Sequence, residues 1–134
     1  MSAASGDSPR ITVRDFQARK AQNEPIVVVT AYDALFGRLV DQSGVDCVLV
    51  GDSLGNLLAG YETTLPVTLD QMIYHAKSTR AGVTRALLAV DMPFLTYQVS
   101  PQRALLNCGR VMQESGADAV KLEGAGENIL AAIR

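Results

Sequence analysis

Ser43-Gly44-Val45-Asp46-Cys47-Val48 returns almost residue for residue as Ser115-Gly116-Ala117-Asp118-Ala119-Val120, and Ala81-Gly82-Val83 begins a weaker third copy. Each copy leads into a short apolar run: Cys47 to Val50, Ala86 to Val90 and Ala119 to Leu122. Continuous apolar runs of this length predict strands covered on both faces, the habit of parallel sheets. A further β-branched run from Ile26 to Thr30, opened by Pro25, predicts the first strand.

Helical patterns fill the intervals. Thr12 can cap a short helix through about Ala21, and Ala34 to Ser43 carries Leu35, Leu39 and Val40 with Gly44 behind them. Thr68 can cap a helix from Leu69 to about Arg80 that Gly82 ends, and Ser100-Pro101 opens one that Gly116 ends. Glu127 to Ile133 begins another helix, whereas Gly51 to Thr68 reads as a loop. The result is an α/β chain of repeated strand-helix units with right-handed crossovers. Such units either open into a doubly wound sheet or close into a barrel, and in both the strand C-termini carry the site.

Three acids fall at those C-termini: Asp52 after Val-Leu-Val-Gly, Asp91 after Leu-Leu-Ala-Val, and Glu123 after Val-Lys-Leu. A carboxylate beside a buried strand needs a metal, a basic group or water. An all-oxygen set favours a hard cation such as Mg²⁺, which keeps open positions for water and a chelating substrate such as a 2-oxo acid. Chelation would acidify the adjacent C–H and stabilise the enolate. Lys121, two residues before Glu123, points the same way and could bind the substrate carboxylate, and Ser53 could add a hydrogen bond. Lys121 could equally serve as a salt-bridge partner. His75, the only histidine, reads as a packed or half-exposed helix residue. Gly51 and Gly55 match no nucleotide-binding spacing.

Composition narrows the classes. The 134 residues are 48% hydrophobic and 19% charged, with a net charge of −2, which describes a globular core without a basic surface for nucleic acid. No apolar stretch approaches the roughly 20 residues of a membrane-spanning helix, and Met1 to Arg10 lacks the pattern of a signal peptide and reads as a flexible tail. Cys47 and Cys108 show neither metal-ligand spacing nor a disulfide framework and read as buried thiols of a reducing, cytoplasmic setting.

Five words of the sequence have a known likeness: Thr30-Ala31-Tyr32-Asp33, Val50-Gly51-Asp52-Ser53-Leu54-Gly55, Thr64-Leu65-Pro66-Val67-Thr68, Ala89-Val90-Asp91-Met92-Pro93-Phe94 and Val120-Lys121-Leu122-Glu123-Gly124. In order and spacing, from about Thr12 to Glu127, the chain closely resembles the ketopantoate hydroxymethyltransferase family. The resemblance implies a TIM (βα)₈ barrel that transfers a hydroxymethyl group from 5,10-methylenetetrahydrofolate to 3-methyl-2-oxobutanoate, giving 2-dehydropantoate for pantothenate and coenzyme A. It implies Mg²⁺ on Asp52, Asp91 and Glu123, with substrate contacts from Asp52, Ser53, Asp91 and Lys121. It also implies a homo-oligomeric cytoplasmic enzyme whose partners are small molecules, with neither nucleic acid nor membrane.

A full barrel needs about 250 residues, so residues 11–134 are expected to form its N-terminal half, with the family's general-base glutamate beyond residue 134. Activity of the chain alone, and solubility with two open sheet edges, are therefore in doubt. Two other readings remain: a lyase or mutase of the phosphoenolpyruvate-type barrels, and a non-catalytic half-barrel that needs a partner.

Overall fold

The computed structural model describes residues 9–134; the tail expected over 1–10 lies largely outside the described residues. The described elements are α1 (Val13–Ala21), β1 (Val28–Thr30), α2 (Ala34–Gln42), β2 (Cys47–Val50), α3 (Leu54–Leu57), α4 (Leu69–Arg80), β3 (Leu87–Asp91), α5 (Pro101–Ser115), β4 (Ala119–Lys121) and α6 (Glu127–Ile133). The four strands lie in sequence order and every pair is parallel. Among the described residues no helix is long and apolar enough to cross a membrane.

Local signals account for most boundaries. The Asp33 carboxylate accepts the Phe36 N–H at 2.8 Å to start α2, and Thr68 and Gln71 cap α4 reciprocally. Pro101 opens α5, whose end is turned by Gly116 at φ +71°. Three expectations need correction. The first strand begins at Val28, two residues later than Ile26, because Val27 turns its backbone to Asp46 and Cys47 at the sheet's lower end. The loop after β2 contains the single-turn helix α3. The helix α4 ends at Arg80 as expected, but its cap is Ala81 rather than Gly82, in ordinary right-handed geometry. Gly82 is instead required by close approach, because a Cβ there would stand 2.1 Å from the Ala34 carbonyl oxygen and 2.7 Å from the Arg38 nitrogen.

Strand alternation divides the sheet into two faces. Val48, Val50, Leu88 and Val90 are fully buried against the helix layer with Met72, Ala76, Ala104 and Val111. Cys47 and Leu87 point to the other face, where Ile11 and Phe16 of the N-terminal segment cover the lower end. Asp91, Lys121 and Glu123 continue this second face upward, so the alternation that buries Leu87 also delivers the acids and the lysine. Cys47 sits deep in the plug, where burial pushes its thiol up to about 11, with Asp118 and Asp46 adding to the shift. Burial raises the Cys108 thiol as well, and both cysteines are free.

The repeated Gly-x-Asp has a structural role. Asp46 accepts the Val27 N–H at 2.9 Å and pairs with Arg19 at 2.6 Å. Asp118 accepts the Leu88 N–H at 2.9 Å and pairs with Arg80 and Arg10. Each aspartate thus ties the strand it precedes to the neighbouring strand. The third copy carries Thr84 at the equivalent place, and Asp41 of α2 supplies the carboxylate there, accepting backbone N–H groups of Thr84, Arg85 and Ala86. Asp41 is 6% exposed. Burial opposes its charge, but these donors outweigh burial and hold its pKa below the ordinary carboxylate value.

Two outcomes follow. Gly82→Ala should destabilise the protein by about 3 kcal/mol in urea unfolding, because the clash is with backbone on both sides. Asp41→Asn should cost about 2 kcal/mol at pH 7, since it turns an amide against three donors. A carboxylate with a depressed folded pKa stabilises above its unfolded value of about 4 and loses that contribution as pH falls through the folded value. The gap between wild type and Asp41→Asn should therefore narrow below about pH 4 in pH-resolved unfolding.

Candidate active site at the strand C-termini

A cleft of about 280 Å³ opens above the C-terminal ends of the sheet, lined by Asp52, Asp91, Lys121 and Glu123 with Thr64, Leu65, Met92, Phe94, Tyr97 and Gln98. The four ionisable residues come from three adjacent strands: Asp52 follows β2, Asp91 ends β3, and Lys121 and Glu123 end or follow β4. Asp91 and Lys121 are register partners, and the Lys121 ammonium donates to Asp91 Oδ1 at 2.6 Å. Asp91 Oδ2 accepts the Asp52 backbone N–H at 3.3 Å. Asp91 is thereby held at 7% exposure with both oxygens engaged.

Lys121 sits among all three acids. Burial works most strongly against its charge, but the hydrogen bond to Asp91 and the fields of Asp91, Glu123 and Asp52 outweigh it, so its pKa stands above the ordinary lysine value. The salt-bridge reading of Lys121 is thus met. Among the described residues no group of three His, Cys, Asp or Glu is gathered closely enough to hold a metal ion. The donor chemistry nonetheless fits a hard cation. The acids supply only oxygens, and among the described residues neither the Asp52 nor the Glu123 side chain accepts a protein hydrogen bond.

Ser53 stands at the margin rather than in the cleft wall. Its Oγ lies 2.8 Å from the Tyr32 hydroxyl, and a Cβ built on Gly51 would be 2.9 Å from Ser53 Oγ and 3.5 Å from Asp91 Oδ2. Gly51 therefore lets the serine hydroxyl pack close to its backbone, where a Cβ would crowd it. His75 is half-buried in α4, as expected, and donates from Nδ1 to the Tyr32 carbonyl at 2.8 Å.

Two positioning tyrosines were not singled out from the sequence. Tyr32 carries Ser53. Tyr97, buried in the segment after β3, accepts the Glu123 N–H at 3.2 Å and donates to the Glu123 carbonyl at 3.3 Å, fixing the backbone that presents this acid. An aromatic with a polar tip in a loop next to a strand-end acid was the available signal. The larger hollow of about 480 Å³ at the opposite end of the sheet is lined by Arg10, Arg19 and Arg85. These are engaged by Asp118, Asp46 and the Val45 carbonyl, respectively.

Four parallel strand-helix units with acids and a lysine at their C-termini define half of a (βα)₈ barrel of the enzyme type. The fold is shared with an oxaloacetate acetylhydrolase at TM-score 0.64 and 17% identity, over 94% of this chain and 47% of that one. A 2,3-dimethylmalate lyase of the PEP mutase/isocitrate lyase superfamily gives TM-score 0.64 at 19% identity, over 92% and 48%. A sequence profile of ketopantoate hydroxymethyltransferase matches residues 10–134, and the chain belongs to that family.

A 3-methyl-2-oxobutanoate hydroxymethyltransferase from Thermosynechococcus vestitus is 53% identical over 124 residues, covering 92% of this chain and 48% of the relative. The enzymes of that name from Flavobacterium johnsoniae and Syntrophotalea carbinolica are 53% and 54% identical, covering 95% and 93% of this chain and 47% and 46% of theirs. The chain thus spans about half the length of the curated relatives it matches.

The Asp91–Lys121 pair can be isolated by a double-mutant cycle with Asp91→Asn and Lys121→Met. A coupling of about 1 kcal/mol is expected in denaturant unfolding at low salt, because the lysine side chain is 52% exposed and solvent screens it. The coupling should shrink when salt is raised toward 1 M. Additive single mutants would show that the pair contributes nothing.

Proposed function

We propose that this chain is the N-terminal half-site of a Mg²⁺-dependent enzyme that moves a hydroxymethyl group from 5,10-methylenetetrahydrofolate to 3-methyl-2-oxobutanoate, giving 2-dehydropantoate. One observation carries the reading: within a chain of this family, Asp52, Asp91, Lys121 and Glu123 line a single cleft at the strand C-termini. Asp52, Asp91 and Glu123 would hold the metal. Bound there, Mg²⁺ would polarise the 2-oxo group and stabilise negative charge developing on it.

The chain's own residues divide the remaining work. Lys121 is the cation available to the substrate carboxylate, at a site where its charge is already favoured. Asp91, held by Lys121 and the Asp52 N–H, fixes the floor of the cleft. Ser53 offers a hydroxyl at the margin. Phe94, Leu65 and Met92 supply apolar wall for the branched carbon skeleton. No residue of this chain is assigned to removing the C3 proton. Residues 11–134 are read as half of one barrel domain in a cytoplasmic homo-oligomer.

Isothermal titration tests this directly. The 2-oxo acid should bind only when Mg²⁺ is present, and Asp52→Asn or Asp91→Asn should weaken Mg²⁺ binding at least about tenfold. Equal binding of the 2-oxo acid in excess chelator, or none under either condition, would overturn the reading.

A further inference from the structure

We propose that Tyr32 is a positioning residue that sets the Ser53 hydroxyl as a hydrogen-bond donor to an oxygen of the 2-oxo acid, and that His75 holds Tyr32 in place. The inference rests on the functional reading above and deepens it. Tyr32 lies between the end of β1 and the Asp33 cap of α2, half-buried against the main core. Its neighbour Ala31 is tied to the sheet, donating its N–H to the Leu49 carbonyl at 3.1 Å. From the other side, the His75 ring reaches the Tyr32 carbonyl at 2.8 Å. A carbonyl only accepts, so Nδ1 of His75 carries a proton in this contact. Two layers of the fold, sheet and α4, therefore fix the backbone from which the phenol projects.

The phenol then meets Ser53 Oγ at 2.8 Å. One hydrogen bond holds one proton, and a phenolic O–H is a stronger donor than an aliphatic one. With Tyr32 donating, Ser53 accepts and keeps its own O–H free. The free O–H is confined to directions away from Tyr32, and the Ser53 oxygen lies close over the bare Cα of Gly51, with Asp91 Oδ2 near the same spot. The group that would receive it is an acceptor without a proton of its own, such as a carboxylate or keto oxygen. Without the phenol, the serine hydroxyl would be free to rotate and could spend its proton on a nearby backbone oxygen.

The test is a binding cycle read by titration calorimetry with 3-methyl-2-oxobutanoate in saturating Mg²⁺, using wild type, Tyr32→Phe, Ser53→Ala and the double variant. Tyr32→Phe keeps the ring and should leave Tm within about 2 °C while weakening binding about 3- to 10-fold. Ser53→Ala should weaken it at least as much, and Tyr32→Phe should add nothing in that background. His75→Ala should weaken binding by the same route, and His75→Asn, whose amide nitrogen stands near the Nδ1 position, should restore it. Unchanged affinity in Tyr32→Phe, or a full additional loss in the Ser53→Ala background, would overturn this proposal while leaving the functional reading intact. A wild-type protein that ignores the 2-oxo acid would sink both.

Discussion

The parallel register of β2, β3 and β4 is the constraint on which the site depends. Side chains alternate with a period of two, so a slip of one residue in β3 would turn Asp91 into the helix layer and bring Val90 out to the cleft. Asp91 and Lys121 can meet at 2.6 Å only because they occupy one register position on neighbouring strands. The register is locked at the far end of the sheet, where Asp46 and Asp118 each accept a backbone N–H from the adjacent strand and Asp41 gathers three at the entry to β3. These carboxylates are paired with arginines or packed among backbone donors, and each would be costly to leave unsatisfied. Precision at one end of the sheet is set by electrostatics at the other.

Most of this architecture was readable from the sequence because its signals are local. Caps at Thr68 and Ser100 and the left-handed glycines at positions 44 and 116 need only neighbouring residues to be recognised. The convergence of Asp52, Asp91, Lys121 and Glu123 was also legible, since equivalent places after the repeated glycines at 44, 82 and 116 on parallel strands must share an edge. What escaped were features decided by distant partners. Gly82 is a glycine because α2 passes within reach of its missing Cβ, and no window around position 82 contains that helix. Tyr32 matters through Ser53, 21 residues away, and through His75, 43 residues away. The helix α3 is a single turn, too short to show a period.

Two populations of acids distinguish a fold's requirements from a site's. Asp41, Asp46 and Asp118, at the strand N-termini, are satisfied by backbone donors or arginines. Asp52 and Glu123, at the C-termini, accept no side-chain hydrogen bond among the described residues, although Tyr97 and the α3 turn hold their backbones in place. Both side chains line the cleft. Lys121 answers part of that negative charge, and only for Asp91 does it do so by contact.

The same separation explains why half of a barrel's length can present a coherent half-site. The carboxylate locks run between neighbouring strand-helix units, so β2 to β4 are organised by contacts among these units. The exposed valines of β1 at one edge and the partly covered β4 at the other show where the packing within this chain stops. Asp91 and Lys121 are therefore oriented by contacts within β2 to β4. A fold that draws its active-site residues from many separate loops can add groups from other units to such an arrangement.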